Sequence, residues 1–321
     1  MHPFAMRAAS FQSTPGNGML EMISFLAPIN AACAGLLALL QSSAQPVALP
    51  PFEQIENLHL YAGRAAYEAA RADSRYRMEK IAYDSDGLEV FAYVYGPSAP
   101  AHEARPVVVF NRGSWVRESF AGELLVQAHR LAEQGFLVVA PMYRGSGGAP
   151  GSDEMGGSDL ADLFNLLPVI AELRAADSSR IYLYGESRGA MMVYQAIRDD
   201  FPALAAAVYG GFTDLDALAG DPQWAPVMPV IWPDFEENRA AITYRRSAVA
   251  WPEEIDIPIL IMHGGQDEAV PAAHAVRLAA ALERHGRPHE LIIMPQEGHV
   301  LTGRAEERDA LAAAWFTAHQ P

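Results

Sequence analysis

Downstream of residue 80 the chain alternates short, unbroken apolar runs with longer mixed stretches. Residues 107–110, 136–140, 181–184, 205–209, 259–263 and 291–294 are apolar runs of strand length, and read as buried strands. Between and after them, residues 122–134, 159–174, 191–199, 272–285 and 306–319 read as helices. Ahead of them, residues 80–83 and 88–95 flank the turn formers Asp84-Ser85-Asp86-Gly87 and predict a hairpin. Apolar strands alternating with helices imply a mostly parallel central sheet covered by helices on both faces. Residues 212–251, rich in Trp and Pro, interrupt the alternation and are expected to form a lid or substrate wall over the sheet edge.

The start of the chain has a different texture. Residues 22–40 are mostly apolar and small and carry no charge, and Gln41-Ser42-Ser43-Ala44-Gln45-Pro46 follows. An apolar core followed by small residues, with Ser42-x-Ala44 as a cleavage site, predicts a secretory signal peptide over residues 1–45. Export to a periplasmic or extracellular location follows from that reading. The acidic Glu21 and the single upstream base Arg7 fit a signal imperfectly, and an N-terminal extension on a cytoplasmic protein is the alternative. Residues 46–80 are expected to be a linker and helical lead-in, with the catalytic domain over residues 81–321.

Composition narrows the function classes. Of 321 residues half are apolar, enough for a large core. A net charge of −16 argues against nucleic acid and anionic membrane surfaces as partners. No stable membrane insertion is expected after processing. Cys33 is the only cysteine, which excludes an intrachain disulfide and a thiolate metal cluster. His285 and His289 are four apart but separated by Pro288, and no His-Glu-x-x-His occurs, so neither a metal nor another cofactor is expected.

The chemistry concentrates at Gly185-Glu186-Ser187-Arg188-Gly189, placed between an apolar strand and a helix. Strand, Gly-x-Ser-x-Gly turn and helix are the parts of a nucleophile elbow, which exposes a serine at a helix N-terminus. Ser187 then needs a base and an orienting carboxylate. Asp267 and His299 each follow an apolar strand by a few residues, so all three groups are expected outside the carboxyl ends of the sheet. The chain order Ser, Asp, His is that of the α/β-hydrolase arrangement. His263 also lies at a strand end but reads as a buried structural histidine, and Glu268 is the rival to Asp267. His274, His285 and His289 read as surface residues. Asp159 and Asp162 read as helix-start acids. An oxyanion hole is expected from the backbone N–H of Arg188 and a donor on the loop after the strand at 107–110. Arg112 N–H, Gly113 N–H and the Asn111 side chain are the candidates. The Gly-rich run at 145–151 lacks the Gly-Lys-Ser/Thr of a phosphate loop and reads as a turn.

These residues together resemble the catalytic domain of the prolyl oligopeptidase group of serine peptidases. Met142-Tyr143-Arg144-Gly145-Ser146, the segment from Gly185 to Met192, His263-Gly264-Gly265-Gln266-Asp267-Glu268-Ala269-Val270-Pro271 and Glu297-Gly298-His299 carry the likeness, which spans roughly residues 81–321. The resemblance implies an α/β-hydrolase fold with Ser187 as nucleophile, Asp267 as orienting acid and His299 as general base. Arg188 stands where many members have an aromatic residue, Ala190 where they have glycine, and Asn111 where some place an oxyanion-binding tyrosine. Fewer than 80 residues precede the domain, so no substrate-filtering β-propeller is expected. The resulting expectation is a peptidase acting on small peptides or amides. A carboxylesterase with the same residues is the runner-up, and an inactive hydrolase-like binding protein the alternative from another class.

Overall fold

A computed structural model describes residues 44–99, 103–115 and 117–321. The expected signal segment lies outside the described residues, apart from its last two positions. Among the described residues, one sheet of nine strands runs in the order β1-β2-β3-β5-β4-β6-β7-β8-β9. The strands are β1 (Gln45–Pro46), β2 (Tyr76–Ser85), β3 (Leu88–Pro97), β4 (Arg105–Asn111) and β5 (Leu137–Pro141), then β6 (Ala176–Glu186), β7 (Ala205–Tyr209), β8 (Ile259–Gly264) and β9 (His289–Met294). β1 to β3 are antiparallel, as is the β3/β5 pair, and every pairing from β5 through β9 is parallel.

The hairpin forms where it is expected. Ser85 pairs with Leu88 across a two-residue turn in which Asp86 and Gly87 have φ of 56° and 80°. Positive φ at both central residues matches the twist of the flanking strands, which is why Asp-Gly suits this place. The lead-in differs from expectation. Its single full helix, α1 (Arg64–Ala72), is short, and β2 has already begun at Tyr76. The start of the expected linker joins the sheet instead, together with the last residue of the expected signal segment: Pro46 pairs with Glu79 and Gln45 with Lys80, and Val47 N–H donates to the Met78 carbonyl at 2.9 Å.

The helices are α2 (Ala121–Glu133), α3 (Ala161–Phe164), α4 (Leu166–Glu172), α5 (Arg188–Arg198) and α6 (Leu215–Ala219). They continue with α7 (Met228–Ile231), α8 (Phe235–Arg245), α9 (Ala273–Arg284) and α10 (Ala305–Ala318). The helix expected over 159–174 is broken into a 3₁₀ turn, α3 and α4. Pro168 has no N–H to give the Phe164 carbonyl, so the ladder cannot run through.

The core follows from the uniformly apolar strands. Val107 to Val109, Tyr182 to Tyr184 and Ala205 to Ala207 are completely buried. Tyr182 and Tyr184 turn one way to meet Phe316 of α10, with ring centroids 5.0 and 6.1 Å apart, and Phe136 packs edge-on against both Tyr182 and Phe316. Such offset pairs add about 0.5–1.5 kcal/mol each to area burial. α2 and α10 pack together, while α5 packs on β4, β6 and β7. The rigid centre therefore lies beneath the carboxyl ends of β4, β6, β7 and β8, where the loops carrying the expected chemistry emerge.

Residues 212–251 hold α6 to α8 and are tied to these loops. Trp224 Nε1 donates to the Ala269 carbonyl at 2.7 Å, and Trp232 Nε1 to the Glu154 carbonyl at 2.9 Å. Arg246 adds bonds to the carbonyls of Met155 and Glu154. Among the described residues no helix is long and apolar enough to cross a membrane.

Candidate active site

Ser187 sits on the turn between β6 and α5 with φ 52° and ψ −116°. This is a sparsely populated conformation for a residue with a Cβ, costing of order 1–3 kcal/mol, and it persists because the surroundings over-determine it. The Ser187 N–H donates to the Tyr209 carbonyl at 2.8 Å, pinning the turn to β7. A Cβ on Gly189 would lie 1.9 Å from the Asn111 carbonyl oxygen, and one on Gly185 2.6 Å from the Gly189 oxygen. Only glycine therefore lets the helix start this close to β4. Ala190 needs a compensating gap: its methyl would be 2.4 Å from a Cβ at position 211, and position 211 is Gly.

His299 Nε2 is 2.8 Å from Ser187 Oγ, and His299 Nδ1 is 2.8 Å from Asp267 Oδ2. The Asp267 carboxylate is buried and its two oxygens are divided between partners. Oδ1 accepts the N–H groups of Ala269 and Val270 at 2.9 and 2.8 Å. Oδ2 also lies 3.1 Å from His263 Nε2, a nitrogen that makes a second contact of 2.8 Å with the Val270 carbonyl. Burial pushes the Asp267 carboxyl up, but the bonds from His263, His299 and the Val270 N–H outweigh it and hold the group well below the usual carboxylate range. Burial disfavours a charged His299. The hydrogen bond and charge of Asp267, with the charge of Glu186, outweigh that and raise its pKa above the ordinary 6.5. An ionised Asp267 fixes the proton of neutral His299 on Nδ1 and leaves Nε2 as an acceptor facing the serine hydroxyl.

The remaining expected positions separate clearly. His263 is fully buried and supports Asp267, while Glu268 is exposed. His274 departs from expectation: it is buried, and its Nδ1 accepts the Thr213 N–H at 3.3 Å. Asp159 and Asp162 also do more than cap. Asp162 binds the Arg144 side chain at 2.6 Å and its N–H at 2.7 Å, and accepts the Ser85 hydroxyl. Asp159 takes the N–H groups of Gly156 and Gly157 and an Arg188 Nη2 at 2.6 Å. The Asn111 carboxamide is turned into the core. Its Nδ2 donates to the Val109 and Tyr184 carbonyls and its Oδ1 accepts the Tyr143 hydroxyl at 2.6 Å. Gly113 lies against Ser187, where a Cβ would be 3.3 Å from Ser187 Cβ and 2.7 Å from Glu186 Oε1.

Sequence reasoning missed the buried ion network beneath this site. Asp153 and Asp159 together receive Arg188, and Asp153 also receives Arg112. Arg188, in place of the usual aromatic residue, lies over the Tyr143 ring at 4.6 Å, so one side chain satisfies a cation–π contact and two carboxylates. The only signal was the unusual arginine itself. Among the described residues, Asp73, His129 and Glu133 also come within 4.8 Å of one another, but Arg75 already pairs with both acids.

The fold and the placement of these groups define an α/β-hydrolase. Residues 124–320 match the family described as the prolyl oligopeptidase family, and the chain belongs to it. It is thereby a serine hydrolase. Among relatives, the uncharacterized peptidase YtmA of Bacillus subtilis is 26% identical over 219 residues, covering 67% of this chain and 82% of its own. The human acylamino-acid-releasing enzyme is 24% identical over 260 residues, covering 73% of this chain and 34% of its own. A puromycin-hydrolyzing peptidase of Mycobacterium tuberculosis superposes with a TM-score of 0.66 at 24% identity over 77% of this chain and 40% of that one. The chain thus spans most of the first of these and well under half of the other two.

Proposed function

We propose that the protein is a serine peptidase that cleaves small peptides or amides through an acyl-enzyme. The observation that carries this reading is the continuous hydrogen-bonded chain from Ser187 Oγ through His299 to Asp267, both links at 2.8 Å. Ser187 Oγ attacks the scissile carbonyl carbon as His299 Nε2 takes its proton. His299 then returns that proton to the leaving amine as the C–N bond breaks, and Asp267 stabilises the imidazolium between the two events. Water repeats the sequence on the acyl-serine. The oxyanion is received by the Arg188 N–H, at the positive end of α5, and by the backbone N–H of Gly113 on the facing loop. Residues 212–251 form the substrate wall.

A carboxylesterase shares every one of these steps and differs only in the leaving group. The peptidase reading is favoured by the relatives, which are named as peptidases or as an acylamino-acid-releasing enzyme. Initial rates of the wild type and Ser187→Ala on matched acyl esters and aminoacyl or dipeptidyl anilides separate them. Comparable turnover of anilides and esters, reduced roughly a millionfold in the variant, supports a peptidase. Ester turnover alone makes the protein an esterase on a peptidase scaffold, and full activity in Ser187→Ala overturns the assignment of the nucleophile.

A further inference from the structure

We propose that Asp153 is the positioning residue of the oxyanion hole, the carboxylate that holds its two halves in a single geometry. This rests on the reading of Ser187 as nucleophile and of the Arg188 and Gly113 N–H groups as donors. The donors come from different elements. Arg188 opens α5 after β6, and Gly113 lies on the loop after β4. Each donor has a guanidinium at its own position or the one before it, and both guanidinium groups converge on Asp153, which arrives from a third element, the loop after β5.

The contacts are specific. Arg188 grips the carboxylate with both arms, Nη2 to Oδ1 at 2.7 Å and Nη1 to Oδ2 at 2.9 Å. Arg112 Nη2 reaches the same Oδ2 at 3.3 Å. Arg112 Nη1 faces the carbonyls of Gly113, Ser114 and Trp115 at 3.1, 3.3 and 2.7 Å, which sets the peptide planes of the loop. The loop needs such restraint, because Ser114 is held at a φ of 64°. Trp115 supplies a second tie, its Nε1 donating to the Asp153 carbonyl at 2.8 Å. The Asp153 side chain has no exposure to solvent, so no water substitutes for it.

Charge explains why the carboxylate, and not merely an acceptor, belongs here. Two arginines, Arg112 and Arg188, face two acids, Asp153 and Asp159. Neutralising Asp153 leaves Arg112 without its acid and Arg188 with Asp159 alone. The tie between the loop and the elbow is then reduced to weaker contacts, such as Arg188 Nη1 facing the Ser114 carbonyl at 3.5 Å. Oxyanion donors act only within about 3 Å of the developing charge, and a displacement of about 1 Å costs on the order of a hundredfold in rate.

The test is Asp153→Asn, measured for kcat and KM on an anilide that the wild type cleaves and for inhibition by a trifluoromethyl ketone that forms a tetrahedral adduct with serine. We expect kcat to fall about a hundredfold with KM held within about threefold, since the donors act on the transition state and not on the bound substrate. The inhibition constant should rise by the same factor as kcat/KM falls, while the variant keeps a cooperative thermal transition. A purely structural role would not produce that split. Wild-type kcat, or a raised KM with unchanged kcat, overturns the proposal. Should Asp153→Asn fail to fold, Arg112→Gln leaves the Arg188 pairs intact, and a kcat reduced about tenfold at unchanged KM is expected of it; wild-type kcat there overturns the proposal equally. Ser187→Ala run alongside keeps the two readings apart. If it is inactive and Asp153→Asn behaves as wild type, only this inference falls, whereas activity in Ser187→Ala sinks the catalytic assignment itself.

Discussion

Asp267→Asn replaces one carboxylate oxygen by an NH₂ group of nearly the same size, and the surroundings dictate which oxygen is lost. Oδ1 accepts two backbone N–H groups, from Ala269 and Val270. Turning the NH₂ toward them would break both bonds and leave buried donors facing a donor, at about 1–3 kcal/mol for each, or roughly 2–6 kcal/mol in all. The amide oxygen therefore stays at the Oδ1 position and the NH₂ takes the Oδ2 position, against His299 Nδ1 and His263 Nε2. Facing a donor, His299 moves its proton to Nε2, which then presents N–H to the serine hydroxyl and cannot accept from it. In serine peptidases with this arrangement the wrong tautomer lowers kcat by about four orders of magnitude, equivalent to roughly 5.5 kcal/mol of barrier. The assay is steady-state kcat on a cleaved anilide, with circular dichroism to establish that the variant is folded. A folded Asp267→Asn protein retaining more than about a tenth of wild-type kcat would refute the reasoning, because no tautomer switch of this size could then operate.

The pH dependence carries a sign fixed by the same contacts. His299 must be neutral to accept a proton, and its pKa is raised, so the acid limb of kcat/KM should lie above 6.5; a limb at or below that value contradicts the assignment. In stability the charged form is favoured, so His299 contributes below 6.5 and the contribution is lost as pH rises through its folded pKa. Asp267 works in the opposite sense: its contribution is present above the usual carboxylate range and is lost as pH falls through its depressed folded pKa, as thermal melts from pH 7 downward would register. Gly189→Ala should lose about 3 kcal/mol or more of stability in urea unfolding, since its methyl would lie 1.9 Å from a backbone oxygen that cannot rotate away. Asn111→Ala should cost about 1–3 kcal/mol by stranding the Tyr143 hydroxyl in the core. Its kcat should stay within about tenfold of wild type, whereas loss of an oxyanion donor costs a hundredfold or more.

What the sequence determined is what local physics determines. Six apolar runs became β4 to β9 because a buried parallel strand needs side chains that are apolar on both faces, and that requirement is written in consecutive residues. The Asp86-Gly87 hairpin and the glycine-flanked Ser187 turn were legible for the same reason, as each depends on the φ preferences of neighbours in the chain. Asp267 and His299 were legible because strand ends announce which loops share one edge of the sheet. Tertiary structure decided everything that depends on which charge meets which. Asp153 and Arg188 are 35 residues apart, and Ser85 and Asp162 are 77 apart. An acid in the sequence looks the same whether it caps a helix in water or neutralises a buried arginine. Asp159, Asp162 and His274 read as exposed or capping residues until the packing buried them, and Asn111 stood open as an oxyanion donor until the Val109 and Tyr184 carbonyls claimed its NH₂. The cost of burying a polar group without a partner is paid in three dimensions, so its solution is recorded only there.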